Sequence, residues 1–107
     1  MTSATHSVYR VRAKLWKWPG EKAAWFFITL PARTAREIQL VDAGPTRRGF
    51  GSLRTEATVG KSTWTTSLFP SAEHRSYVLP VKASIRKAEG LVEGKTLVVE
   101  LKVQRRG

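Results

Sequence analysis

Cations carry most of the chemistry this chain can offer. Nineteen Lys and Arg stand against eight acids, a formal net charge of +11 over 107 residues. Three groups stand out by type and spacing. Arg10, Arg12 and Lys14 alternate along one strand-like stretch, and three such positions span ~13 Å, close to the run of successive phosphates on one nucleic-acid strand. Arg47 and Arg48 precede Gly49 and Gly51, where a backbone without Cβ atoms would let N–H groups approach a phosphate. Lys82 and Arg86 are four apart and share one face of a helix. The partner such groups would take is a polyanion, DNA or RNA first. Each has a plainer reading as well. Edge strands carry cations to block aggregation, and loop charges are ordinarily just solvated.

Four tryptophans give a second line. Trp16 continues the cationic strand face and could stack a base. Trp18 follows it in the first turn, while Trp25 and Trp64 lie in apolar strand contexts that suit core packing. If Trp16, Trp18, Trp25 and Trp64 converge at one end of a barrel, they line a mouth for a small ligand. A third reading is a structural or interaction module with no ligand.

The inventory for catalysis is poor. The histidines are His6, near the start, and His74, beside Glu73 and Arg75. Asp42 is the one aspartate, and the chain has no cysteine. No carboxylate pair, nucleophile elbow or metal-ligand spacing appears. The expectation is a non-catalytic protein with no cofactor and no metal. Arg48–Leu53, RGFGSL, matches the start of an RNA-recognition signature but fails at Ser52 and Thr55. No apolar run reaches the ~20 residues that span a bilayer, and no secretory signal opens the chain. A cytoplasmic protein without membrane contact is the expected setting, as monomer or homodimer.

The elements that must position these groups repeat. Residues 1–7 read as frayed, 8–103 as one domain and 104–107 as a basic tail. Val8–Trp16 alternates, with Tyr9, Val11, Ala13 and Leu15 inward. Ala24–Leu30 is a continuous apolar run that reads as a strand covered on both faces, or covered on the second face by a partner subunit. Pro31 opens a helix with Ala35, Ile38 and Val41 inward, ended by Gly44-Pro45. Leu53–Val59 and Ser62–Phe69 form a hairpin about Gly60-Lys61. Tyr77–Leu79 is a short strand. Pro80 opens a second helix with Val81, Ile85 and Ala88 inward, closed by Gly90. Thr96–Val103 alternates again. The order is β-β-α-β twice, with the Leu30-Pro31 and Leu79-Pro80 steps 49 residues apart and the following strands 44 apart. A mainly β fold results: a double-split β-barrel of six to seven strands with two short helices, built from two pseudo-repeated units.

Two resemblances bear on this. Pro80, Ile85, Arg86, Gly90 and Gly94 make the second half similar to the AbrB/MazE-type swapped-hairpin element, with Lys95 where that element has Asp. That likeness implies DNA binding, but only Arg86 carries over by position, and one chain here supplies both halves. The span from Tyr9 to Val103 resembles a bacterial domain-of-unknown-function family that occurs alone or ahead of a YdeI/OmpD-associated domain. The residues that carry it are Ala13-Lys14-Leu15, Trp25-Phe26, Leu30-Pro31, the RRGFGS loop, WTTSLFP (Trp64–Pro70) and LPVKASIRKAEGL. It implies a small double-split barrel and no established activity.

Overall fold

A computed structural model describes residues 6–20, 25–42 and 51–104. In chain order the elements are β1 (His6–Lys14), β2 (Trp16–Lys17), β3 (Phe26–Thr29), α1 (Ala32–Val41), β4 (Leu53–Val59), β5 (Ser62–Ser71), β6 (Ser76–Pro80), α2 (Ala83–Glu89) and β7 (Thr96–Gln104). The strands form one antiparallel sheet in the order β1-β7-β4-β5-β6-β3-β2, curled into a half-barrel. The two strands at the ends of that order are consecutive in the chain, separated by Leu15 alone. Leu15 N–H donates to the Lys95 carbonyl at 3.0 Å, and its own carbonyl accepts from Gly94 N–H at 2.8 Å. The chain turns a corner there, with the Leu15 side chain buried. The opposite corner is made within β5, whose first part pairs with β4 and whose last three residues pair with β6.

The pairings reveal a pseudo-twofold axis. β4 pairs with β7 so that Ala57 faces Leu101, 44 residues on, and β3 pairs with β6 so that Thr29 faces Val78, 49 residues on. These are the two offsets of the sequence repeat, so each unit lies across the axis from its own counterpart. The long first strand, bent at Leu15, corresponds to β5 with a constant offset of 55 through both corners: Tyr9 matches Trp64, and Trp16 matches Ser71.

Alternation drives burial. Leu97, Val99, Leu101 and Val103 of β7 point inward and are nearly inaccessible, as are Leu53, Thr55, Ala57 and Val59 of β4. Each fully buried Leu or Val contributes about 1.5–3 kcal/mol. The core is completed by Val11, Ile28, Leu68, Leu79, Ile38 and Ile85.

Several boundaries differ from the sequence reading. β1 begins at His6 and β7 runs to Gln104, because His6 pairs with Gln104 and Ser7 with Val103. Pro31 is the N-cap of α1, with extended ψ, and Ala32 is the first helical residue. Pro80 does not open a helix. It ends β6 opposite Phe27, where its missing N–H costs no ladder bond, and its carbonyl accepts from the Trp64 indole at 3.3 Å. The chain stays extended through Lys82, which lets Val81 reach the core before α2 begins at Ala83. Val41 and Ala88 are exposed rather than inward. The predicted stop at Gly44-Pro45 lies outside the described residues. Gly90 closes α2 as predicted, with φ 63°, while Leu91 N–H reaches back to the Arg86 carbonyl.

Each helix is tied to a long strand by an acid at its C-terminal end. Asp42, fully buried at the end of α1, accepts from the Tyr9 hydroxyl of β1 at 2.6 Å. Glu89, the last residue of α2, accepts from the Ser62 hydroxyl at 2.6 Å and from Lys61 N–H at 3.3 Å. By the offset of 55, Lys61 and Ser62 correspond to His6 and Ser7, so both ties fall at equivalent ends of the barrel.

Candidate functional site

The outer face of β1, β7, β4 and β5 carries the first set of predicted cations. Outward positions are exposed in turn along β1, and they include Arg10, Arg12 and Lys14. Cross-strand neighbours extend the face: Arg10 faces Glu100, Arg12 faces Val98, and Lys14 faces Thr96. Lys102 and Arg54 lie further across. The face is not purely basic. Lys102 pairs with Glu56 at 3.7 Å, a solvent-exposed bridge worth little. A shallow groove of about 270 Å³ crosses it, lined by His6, Arg54, Glu56, Thr65 and Lys102 among others.

Thr65 also lines the next groove, of about 280 Å³, between β5 and α2. Here Trp25, Trp64, Phe26, Lys82 and Arg86 meet. The Arg86 guanidinium sits 3.8 Å over the Phe26 ring, and its Nε donates to the Val81 carbonyl at 3.2 Å. Those contacts fix the side chain while its terminal nitrogens remain as donors. Lys82, four residues earlier, occupies the N-cap position of α2 without a side-chain capping bond and is exposed. Trp64 is buried, whereas Trp25 is 57% exposed. The apolar context of Trp25 had suggested packing. Its position just before β3, at the sheet margin, leaves the ring in the groove instead.

The tryptophans therefore do not gather at one mouth. Trp16 and Trp18 belong to a second aromatic group. Trp16 lies 5.1 Å from Phe27, 6.1 Å from Trp18 and 5.0 Å from His74, measured between ring centroids. Its indole N–H donates to the Thr29 hydroxyl at 2.9 Å. Phe26 and Phe27 are adjacent in a strand, so they face opposite ways and sort the aromatics into two clusters. Arg47 and Arg48 lie outside the described residues. Among the described residues no cluster of His, Asp and Glu could hold a metal ion, and no helix is long and apolar enough to cross a membrane.

A third concavity was not foreseen. A cleft of about 710 Å³ lies between α1 and the β5–β6 hairpin, lined by Arg33, Arg36 and Gln39 on one side and Ser71, Arg75 and Tyr77 on the other. Arg33 and Arg36 are three apart on α1, the spacing of same-face neighbours. Nothing in the local sequence joins them to Arg75, some forty residues later; only the fold does.

The architecture and its surfaces define a class: a single-chain barrel of two β-β-α-β halves, with basic grooves outside and an apolar interior. Within that class the match is direct. The model of a domain of unknown function, DUF1905, covers residues 12–101, and the chain belongs to that family. No curated protein matches the chain.

Proposed function

We propose that this domain is a non-catalytic binding module for an anionic polymer, with nucleic acid as the first candidate. One observation carries the reading. The groove holding exposed Trp25 beside Lys82 and Arg86 meets, at Thr65, the groove that crosses the cationic strand face. A phosphate backbone following that path would pass Arg54 and the β1 cations, and a base could stack on Trp25. The immobilised Arg86 favours this use, because little side-chain freedom is left to lose on binding. Glu56 and Glu100 dilute the face, which fits a weak, sequence-tolerant contact rather than base readout.

The test is fluorescence anisotropy with labelled single-stranded DNA, RNA and duplex from ~50 to ~200 mM salt. Contacts from Arg10, Arg12, Lys14, Arg54, Lys82 and Arg86 predict a log–log slope of about −4 on single strands. Trp25→Ala should weaken single-strand binding about tenfold. Absence of binding at the lowest salt, or binding indifferent to both salt and Trp25→Ala, sinks the proposal.

A further inference from the structure

We propose that the cleft between α1 and the β5–β6 hairpin is a separate site for a small phosphorylated molecule of nucleotide or sugar-phosphate size. Three arginines from two elements, Arg33, Arg36 and Arg75, line it. Guanidinium donates and never accepts, so its complement is an acceptor-only oxyanion. Three of them around one space suit a dianionic phosphoryl group better than a single carboxylate, which one arginine can satisfy in bidentate fashion.

Among the described residues none of the three arginines is in an ion pair. Among the described residues that line the cleft, none is an acid. Glu37, next to Arg36 and four residues from Arg33 on α1, makes no ion pair with either among the described residues. The serine hydroxyls are already engaged: Ser76 donates to the Leu30 carbonyl at 2.8 Å, and Ser71 accepts from His74 N–H at 3.3 Å. They shape the cleft while the arginines and Gln39 remain to bind. Ala32, Ala35, Pro70 and Tyr77 supply an apolar wall for a sugar or base. A volume of about 710 Å³ lies in the range of small-molecule sites and far exceeds one phosphate ion.

The backbone supports the same assignment. Arg75 holds φ 52°, and among the described residues it is the one non-glycine residue with positive φ. Glycine or asparagine would adopt that conformation more readily. An arginine held there is placed by something other than the turn's own preference. The repeat points the same way. Ser71 and Ser76 occupy the positions that Trp16 and Phe27 take in the other half, so small residues leave space on this side.

The site is distinct from the polyanion face, and its test uses the full chain with AMP, ribose 5-phosphate and adenosine in calorimetry and thermal shift. Both phosphates should bind with Kd below ~1 mM, and adenosine should not. Arg36→Ala should weaken AMP binding about tenfold, the loss of one charge-assisted contact, and leave oligonucleotide affinity unchanged. Arg75→Gly should also weaken AMP binding, yet raise the Tm of the unliganded protein by about 4 °C by relieving the φ. No response to either phosphate at ~10 mM overturns the proposal. So does equal binding of adenosine, or undiminished AMP affinity in both variants.

Discussion

Removing one hydroxyl, by Tyr9→Phe, probes the tie that holds α1 against the barrel. The Tyr9 hydroxyl donates to Asp42 at 2.6 Å, and Asp42 is fully buried. The phenyl ring of the variant keeps the packing but leaves the acid one donor short. Leaving a buried acceptor without its donor costs about 1–3 kcal/mol, so a loss of about 2 kcal/mol is expected at neutral pH. For a domain of this size that lowers Tm by about 10 °C. The pH dependence gives a sharper test. The Tyr9 phenol is raised well above its ordinary value of 10.0, first by burial and then by its hydrogen bond and proximity to Asp42. A raised folded value means the neutral phenol stabilises the fold fully below pH 10. That contribution is lost as pH rises from there through the folded value, because the unfolded chain releases the proton first. The variant has no such loss. Solvent reaches part of the ring, which screens the effect, so the stability gap should narrow by roughly 1 kcal/mol between about pH 9.5 and 11. Urea unfolding of both proteins, followed by far-UV circular dichroism, measures the gap; lysine titration is common to both and cancels. A gap under about 0.5 kcal/mol at pH 7, or one constant across the alkaline range, would refute the role given to this bond.

Two further substitutions test the framework. Gly90→Ala places a side chain on a residue with φ 63°, and since the added Cβ meets nothing within 4 Å the cost is conformational alone. It should be about 1 kcal/mol in chemical denaturation, and a neutral result would show that the cap is not under strain. Leu79→Ala empties a fully buried position next to the pseudo-twofold axis. A loss of about 3 kcal/mol is expected, and less than about 1 kcal/mol would mean that the two halves close over the gap.

Much of this fold is legible in period-two alternation and in the two Leu-Pro steps. Alternation identified β4 and β7 with their inward residues, because a strand buried on one side leaves no other register. The offsets of 49 and 44 express the repeat in the sequence, but that the counterparts pair with one another is visible only in the sheet. Pro80 misled because proline reads equally as a helix opener and a strand end; Trp64 and Phe27 decide between them from elsewhere in the chain. Leu15 looked like an ordinary strand residue because a corner made by long-range bonds to Gly94 and Lys95 has no local signature. The candidate sites were less accessible. Arg86 was identifiable as a helix-face cation, but its seat on Phe26 was not. Arg33, Arg36 and Arg75 drew no attention singly, since a lone arginine on a helix or in a turn is ordinary, and only the packing of α1 beside the hairpin makes them a group. A non-glycine residue with positive φ cannot be read from residue types at all.

The near-twofold relation of the halves bears on stoichiometry. A symmetric shell offers its surface features in duplicate, and a ligand fitted to one would occupy both. Here aromatic Trp16 and Phe27 stand on one side where Ser71 and Ser76 stand on the other, while the interior strands keep their mutual register. The halves share their strand register but not these surface side chains. A phosphorylated ligand should therefore saturate at one molecule per chain, and a titration ending at two would mean that the halves still act alike.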